Sequence, residues 1–115
     1  KKEGRFYTSN AGLKELRKEI CNYLERKIHV KNDAVHETLV TVGGSEAIDV
    51  GLRCMLDPGD EVLIPQPSYV SYLPCTVMAD GVPVIIPLQE KKEFKLTAEE
   101  LEKYTTPKTK VLVLP

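Results

Sequence analysis

The sequence predicts an α/β protein built on an incomplete, mostly parallel sheet with helices on both faces. Helical and strand patterns alternate along the chain, each strand segment is apolar throughout rather than every second residue, and turn residues separate the elements. A strand that is apolar in both directions must be covered on both sides, and helix-strand alternation is the connectivity that supplies the cover.

The elements follow in order. Residues 10–27 carry Leu13, Leu16, Ile20, Tyr23 and Leu24 at spacings of three and four, with Lys and Glu between, which predicts an amphipathic helix with its stripe toward the core. A polar stretch then turns β-branched, so Thr38 to Val42 reads as a buried strand, and a helix follows from Ser45 to Met55. Asp57, Pro58 and Gly59 form a turn before the short apolar strand Val62 to Ile64, which Pro65 and Pro67 end. Ser68 is placed to cap a helix through Ala79 that Pro74 shortens or kinks. Gly81 turns the chain into a third strand, Val82 to Ile86, and the charged "QEKKEFKL" is a surface loop. Thr97 and Glu100 have capping-box spacing for a helix through Tyr104, and Val111 to Leu114 is a fourth strand.

With 115 residues, 42% hydrophobic and 29% charged, the chain can bury one modest core. A formal net charge of -1 offers no field for nucleic acid or an anionic membrane, and leaves a small neutral or zwitterionic partner open. No apolar run approaches a membrane span, and no signal peptide is visible. Cys21, Cys54 and Cys75 lack metal-site spacing and read as reduced, buried residues, while His29 and His36 have no companion at ligand distance, so no metal is expected. The first residue is Lys and the last, Pro115, directly follows a strand, so both ends read as cut.

The stretch "VTVGGSEAIDVGL" carries the chemistry. Without Cβ atoms, Gly43 and Gly44 let the backbone bend and approach a ligand, and the amides of Gly44, Ser45 and Glu46 then lie at a helix start, where an anion is favoured. The same letters also describe a plain strand-to-helix turn with Ser45 as its N-cap. A Walker-type phosphate loop is a weak match, because it needs Lys and then Ser or Thr after its last glycine and here Ser45 and Glu46 follow, and the dinucleotide fingerprint is equally weak without its third glycine. The next strand ends in "PQPSYVSY", whose carboxyl end belongs on the same rim, so Tyr69 offers a flat ring for an aromatic ligand or simply packs.

"YTSNAGLKELRKEI", "VTVGGSEAI", "LDPGDEVLIPQPSYVSY" and "GVPVIIP", taken together, resemble the large domain of fold type I pyridoxal phosphate enzymes, specifically the class I and II aminotransferases, in order and spacing. The resemblance covers nearly the whole chain. It implies one partial cofactor-binding domain over 1–115, comprising the helix 10–27, a phosphate-loop unit 38–56 and further strand and helix units 61–115. It implies that Gly44 and Ser45 hold the phosphate of pyridoxal 5'-phosphate, that Gly43 shapes the turn, and that Tyr69 covers the pyridine ring. Tyr7, five residues before Gly12, matches the tyrosine that reaches the phosphate of the neighbouring subunit, which implies a homodimer.

The family's reaction moves an amino group between an amino acid and a 2-oxo acid. It needs a lysine that bonds covalently to the cofactor and shuttles a proton. No lysine here follows that motif, so no catalytic residue is assigned and the chain by itself is expected to be inactive, its parent a cytoplasmic enzyme. "VSY" and the double glycine lean toward the aspartate or aromatic amino acid branch. Two rivals keep the fold: the aminotransferase-like binding part of a transcription regulator, and a carbon-sulfur lyase. In the family's sheet the Thr38 strand is separated from the other three by strands from later in the sequence. Here the Val62, Val82 and Val111 strands are therefore expected to pair while Thr38 to Val42 lacks neighbours, and such an edge invites a swapped oligomer or a rearranged compact form.

Overall fold

The computed structural model describes residue 7 and residues 9–114. The chain divides into two compact units, residues 1–44 and 45–115.

In the first unit, helix α1 spans Lys14–Ile28. It starts four residues later than the periodicity predicts, because Gly12 takes a φ of 94° and its amide closes a turn onto the Ser9 carbonyl at 2.8 Å. A Cβ at Gly12 would stand 2.7 Å from the Val40 Cβ, so only glycine fits where the two segments meet. The helix ends at His29, whose amide makes the last helical bond, to the Glu25 carbonyl, and whose left-handed backbone then turns the chain away. Its apolar stripe does not form a core within this unit: Leu13, Leu16 and Tyr23 are exposed, and the buried residues are Arg17 and Cys21. Arg17 Nη1 donates to the carbonyls of Ala34 (2.9 Å) and Val35 (3.3 Å), and Cys21 Sγ lies 3.1 Å from Thr38 Oγ1.

Thr38 to Val42 is not a strand. Its Val40 amide bonds the Ala11 carbonyl at 3.0 Å, but no ladder forms and Val42 is 93% exposed. A β-branched run becomes a strand only when another strand satisfies its amides, and the lack of such a neighbour is what the resemblance implied.

In the second unit, α2 (Gly44–Met55) leads to β1 (Glu61–Gln66), α3 (Tyr72–Met78), β2 (Val82–Pro87), a short 3-10 turn at Glu90–Lys92, α4 (Ala98–Tyr104) and β3 (Thr109–Leu112). The three strands form one parallel sheet in the order β2-β1-β3. Central β1 is buried along Val62 to Pro65. Val62 and Ile64 pack with Leu52 and Leu56 from and just beyond α2 and with Cys75 of α3, and this cluster is the core.

Several boundaries differ from the sequence reading, each for a local reason. Pro65 does not end β1 but lies inside it, paired with Ile86. Leu63 accepts a bond from the Val113 amide, and strand alternation turns the Pro65 nitrogen to that same edge, beyond the last β1-β3 pair, where no amide is required. The Gln66-Pro67 bond is cis. Helix α3 begins at Tyr72, so Ser68 does not cap it, and Pro74 sits in its first turn, where the missing amide has no intrahelical role. β3 lies two residues upstream of the predicted strand, because Glu61 and Leu63 set its register through the Lys108 carbonyl and the Val113 amide. Cys54 on α2 is exposed, contrary to expectation, while Cys21 and Cys75 are buried.

The turn at Asp57, Pro58 and Gly59 forms as predicted, closed by the Asp60 amide on the Asp57 carbonyl at 3.0 Å and by the Asp57 amide on the Asp60 carboxylate. The capping box at α4 is present in both directions, with Glu100 N donating to Thr97 Oγ1 and Thr97 N donating to Glu100 Oε2. No helix among the described residues is long and apolar enough to cross a membrane.

Candidate functional site

The site begins where the extended segment stops. Gly43 takes a φ of 90°, a conformation that an L side chain rarely adopts, and α2 starts at the next residue. A Cβ built on Gly43 or Gly44 meets no described atom within 4 Å. The Thr41 hydroxyl donates to the Gly43 carbonyl at 2.9 Å and braces the turn. The first amides of a helix have no acceptor four residues back, so the start of α2 presents donors and the positive end of its dipole.

Within the second unit, Ser45 on the first turn of α2 meets the loop that follows β1. Ser45 Oγ lies 2.9 Å from the Tyr69 hydroxyl and 2.9 Å from Ser71 Oγ. The β1 carboxyl end delivers this loop to the α2 start, as the predicted rim requires, and α3 begins immediately after it. Tyr69 is 49% exposed and meets Tyr72 edge to face, with ring centroids 5.8 Å apart at 80°. Hydrogen bonding from Ser45, and next from Ser71, holds the Tyr69 phenol below its ordinary range, against opposing contributions from desolvation and Cys75.

Of the sequence-predicted residues, Ser45 and Tyr69 are therefore in direct contact, and Gly43 and Gly44 immediately precede Ser45 in the chain. Tyr7 belongs to the first unit and is 96% exposed. Ser71 was missed. Its signal was present in "PSYVSY", where a second serine directly precedes the helix start, but Ser68 took the capping role in the sequence reading.

A hydroxyl on the first turn of a helix with an aromatic ring touching it can hold a phosphorylated aromatic molecule. Comparison with known proteins bears on which one. The family model for aminotransferase class I and II matches residues 1–115. The chain belongs to this family. Its members depend on pyridoxal phosphate.

Among relatives of this aminotransferase chain, an aspartate aminotransferase of Pyrococcus abyssi is 44% identical over 108 residues, covering 94% of the chain and 28% of the relative. A probable N-acetyl-LL-diaminopimelate aminotransferase of Bacillus subtilis is 43% identical over 109 residues, covering 95% and 28%. The crystal structure of an aromatic aminotransferase from Pyrococcus horikoshii superimposes with a TM-score of 0.87 at 42% identity, over 93% of this chain and 28% of that one. The chain thus spans 28% of the length of these relatives, and it is a fragment of the aminotransferase fold.

Proposed function

We propose that this chain supplies the phosphate and ring contacts for pyridoxal 5'-phosphate in an aminotransferase that moves an amino group between an amino acid and a 2-oxo acid. The observation that carries this reading is the 2.9 Å contact between Ser45 Oγ and the Tyr69 hydroxyl at the start of α2. It joins an anion-holding helix terminus to an aromatic ring through residues 24 apart in sequence.

The donor set fits the cofactor. A phosphate monoester needs several convergent donors, and the amides of Gly44 and Ser45 with the Ser45 hydroxyl are of the kind required, at a helix start where a Cβ on Gly44 would meet no described atom within 4 Å. A flat heteroaromatic ring needs an apolar face, which half-exposed Tyr69 offers. When bound, the cofactor supplies the electron sink for chemistry at the substrate α-carbon. The residues of this chain bind and orient it: Gly43 sets the turn, Gly44 and Ser45 grip the phosphate, and Tyr69 fixes the tilt of the ring. Tyr7 adds a hydroxyl to the phosphate of the neighbouring subunit in a homodimer. The covalent and proton-transfer roles fall to residues outside this chain, so the chain alone is inactive.

The test is uptake of pyridoxal phosphate by the full-length protein, followed by its visible absorbance. A bound-cofactor band that changes on adding an amino acid and is restored by a 2-oxo acid supports the reading. A protein that takes up no cofactor, or a band indifferent to amino acids, overturns it.

A further inference from the structure

Beyond the groups that touch the cofactor in this reading, the second unit contains a hydroxyl with no part in it. Ser71 precedes α3 at the N-cap position, yet its side chain caps nothing. It points instead to Ser45 Oγ at 2.9 Å, and the Tyr69 hydroxyl lies at 2.9 Å from the same oxygen.

Donor arithmetic gives this arrangement a direction. A serine hydroxyl has one proton to donate and two lone pairs to accept with. If Ser45 spends its proton on a phosphate oxygen, both lone pairs are open to donors, and two hydroxyls stand at hydrogen-bond distance to fill them. Tyr69 and Ser71 each have one proton to give and carry no formal charge. With both donating, Ser45 is held in one rotamer, and each incoming bond polarises its O–H toward the anion.

We infer that Ser71 is a positioning residue for cofactor phosphate binding: its hydroxyl donates to Ser45 and, with Tyr69, orients the Ser45 proton toward the phosphate. This rests on the cofactor reading above. Ser71 acts through Ser45 and makes no phosphate contact of its own. The same cluster behaves differently without an anion, because Ser45 and Ser71 are then free to turn their protons toward the phenol. That is the sense of the hydrogen bonding that holds Tyr69 below its ordinary range.

The test uses the full-length protein with Ser71→Ala and Ser71→Thr, and two readouts. The first is the dissociation constant for pyridoxal phosphate. The second is the ionisation of Tyr69 in cofactor-free protein, followed as tyrosinate ultraviolet absorbance against a Tyr69→Phe control. Ser71→Ala is expected to weaken cofactor binding roughly two- to tenfold, the equivalent of one lost hydrogen bond. It is also expected to move Tyr69 ionisation to higher pH, and Ser71→Thr, which keeps the hydroxyl, restores both. Wild-type values for Ser71→Ala in both readouts overturn the inference, as does loss of binding that threonine does not rescue, since that marks packing. If the unaltered protein takes up no cofactor, the proposed function falls instead. In that event an unmoved Tyr69 titration in Ser71→Ala overturns the hydroxyl chain as well, and a moved one upholds it.

Discussion

One hydroxyl, that of Ser45, meets both Tyr69 and Ser71, so the smallest changes at the site have separable consequences. Tyr69→Ala removes a ring face and a hydroxyl together, and is expected to weaken retention of pyridoxal phosphate severalfold, read from the cofactor left after gel filtration. Unchanged retention would contradict a stacking role. Gly12→Ala tests a different constraint. The left-handed φ of 94° and the 2.7 Å approach to Val40 together make any Cβ costly, by about 1–3 kcal/mol, checked by denaturant unfolding. At this scale much was legible. Two adjacent glycines before a serine marked the turn, and the tyrosine singled out after the next strand does meet that serine. Ser71 was not legible because a hydroxyl near a helix start serves equally as a cap, and only the fold brings it to residue 45.

At the scale of elements, the capping box of α4 gives a pH-dependent term. The Lys92 ammonium, hydrogen-bonded at 3.0 Å, and then the Thr97 amide hold the Glu100 carboxyl below its ordinary value of 4.5. Its folded pKa is therefore lower than its unfolded one, so its stabilisation is fully present above that ordinary value and is lost as pH falls through the folded pKa. Glu100→Gln is expected to flatten the acid limb of the stability curve and leave neutral-pH cooperativity intact, as thermal unfolding at a series of pH values would record. Thr97→Ala removes the other half of the box and is expected to cost about 1 kcal/mol at neutral pH. This box was legible because its signal is local, two residues at a fixed spacing. The starts of α1 and α3 were not. A turn at Gly12, against which Val40 packs, and a loop committed to Ser45 delay them, and the Val40 and Ser45 contacts are distant in sequence. The failure of Thr38 to Val42 to become a strand has the same origin, since propensity makes a segment ready for a ladder but only a neighbouring strand completes one.

At the scale of the whole molecule, the two units carry different shares of the proposed function. The second holds the parallel sheet and the Ser45, Tyr69 and Ser71 cluster, and the first holds Tyr7. Assigning Tyr7 to the phosphate of a neighbouring subunit makes cofactor affinity depend on assembly. Tyr7→Phe in the full-length protein is expected to weaken pyridoxal phosphate binding by about 0.5–3 kcal/mol, the range for one hydrogen bond, whose upper half applies to a charged partner. Dilution below the dimer dissociation constant is expected to do the same, and a monomer that binds as tightly as the dimer would rule the assignment out. The fold class was legible from strand and helix alternation. The family was legible only from four sequence blocks in order, because no single block separates an anion-holding helix start from an ordinary turn.

The most direct test of the phosphate grip compares two ligands that differ only in that group. Pyridoxal phosphate and pyridoxal are titrated into the full-length protein with Ser45 intact and as Ser45→Ala. If the start of α2 holds the phosphate, the alanine variant loses affinity for pyridoxal phosphate while its weaker affinity for pyridoxal stays put. Equal losses for both ligands, or none for either, would place the phosphate elsewhere.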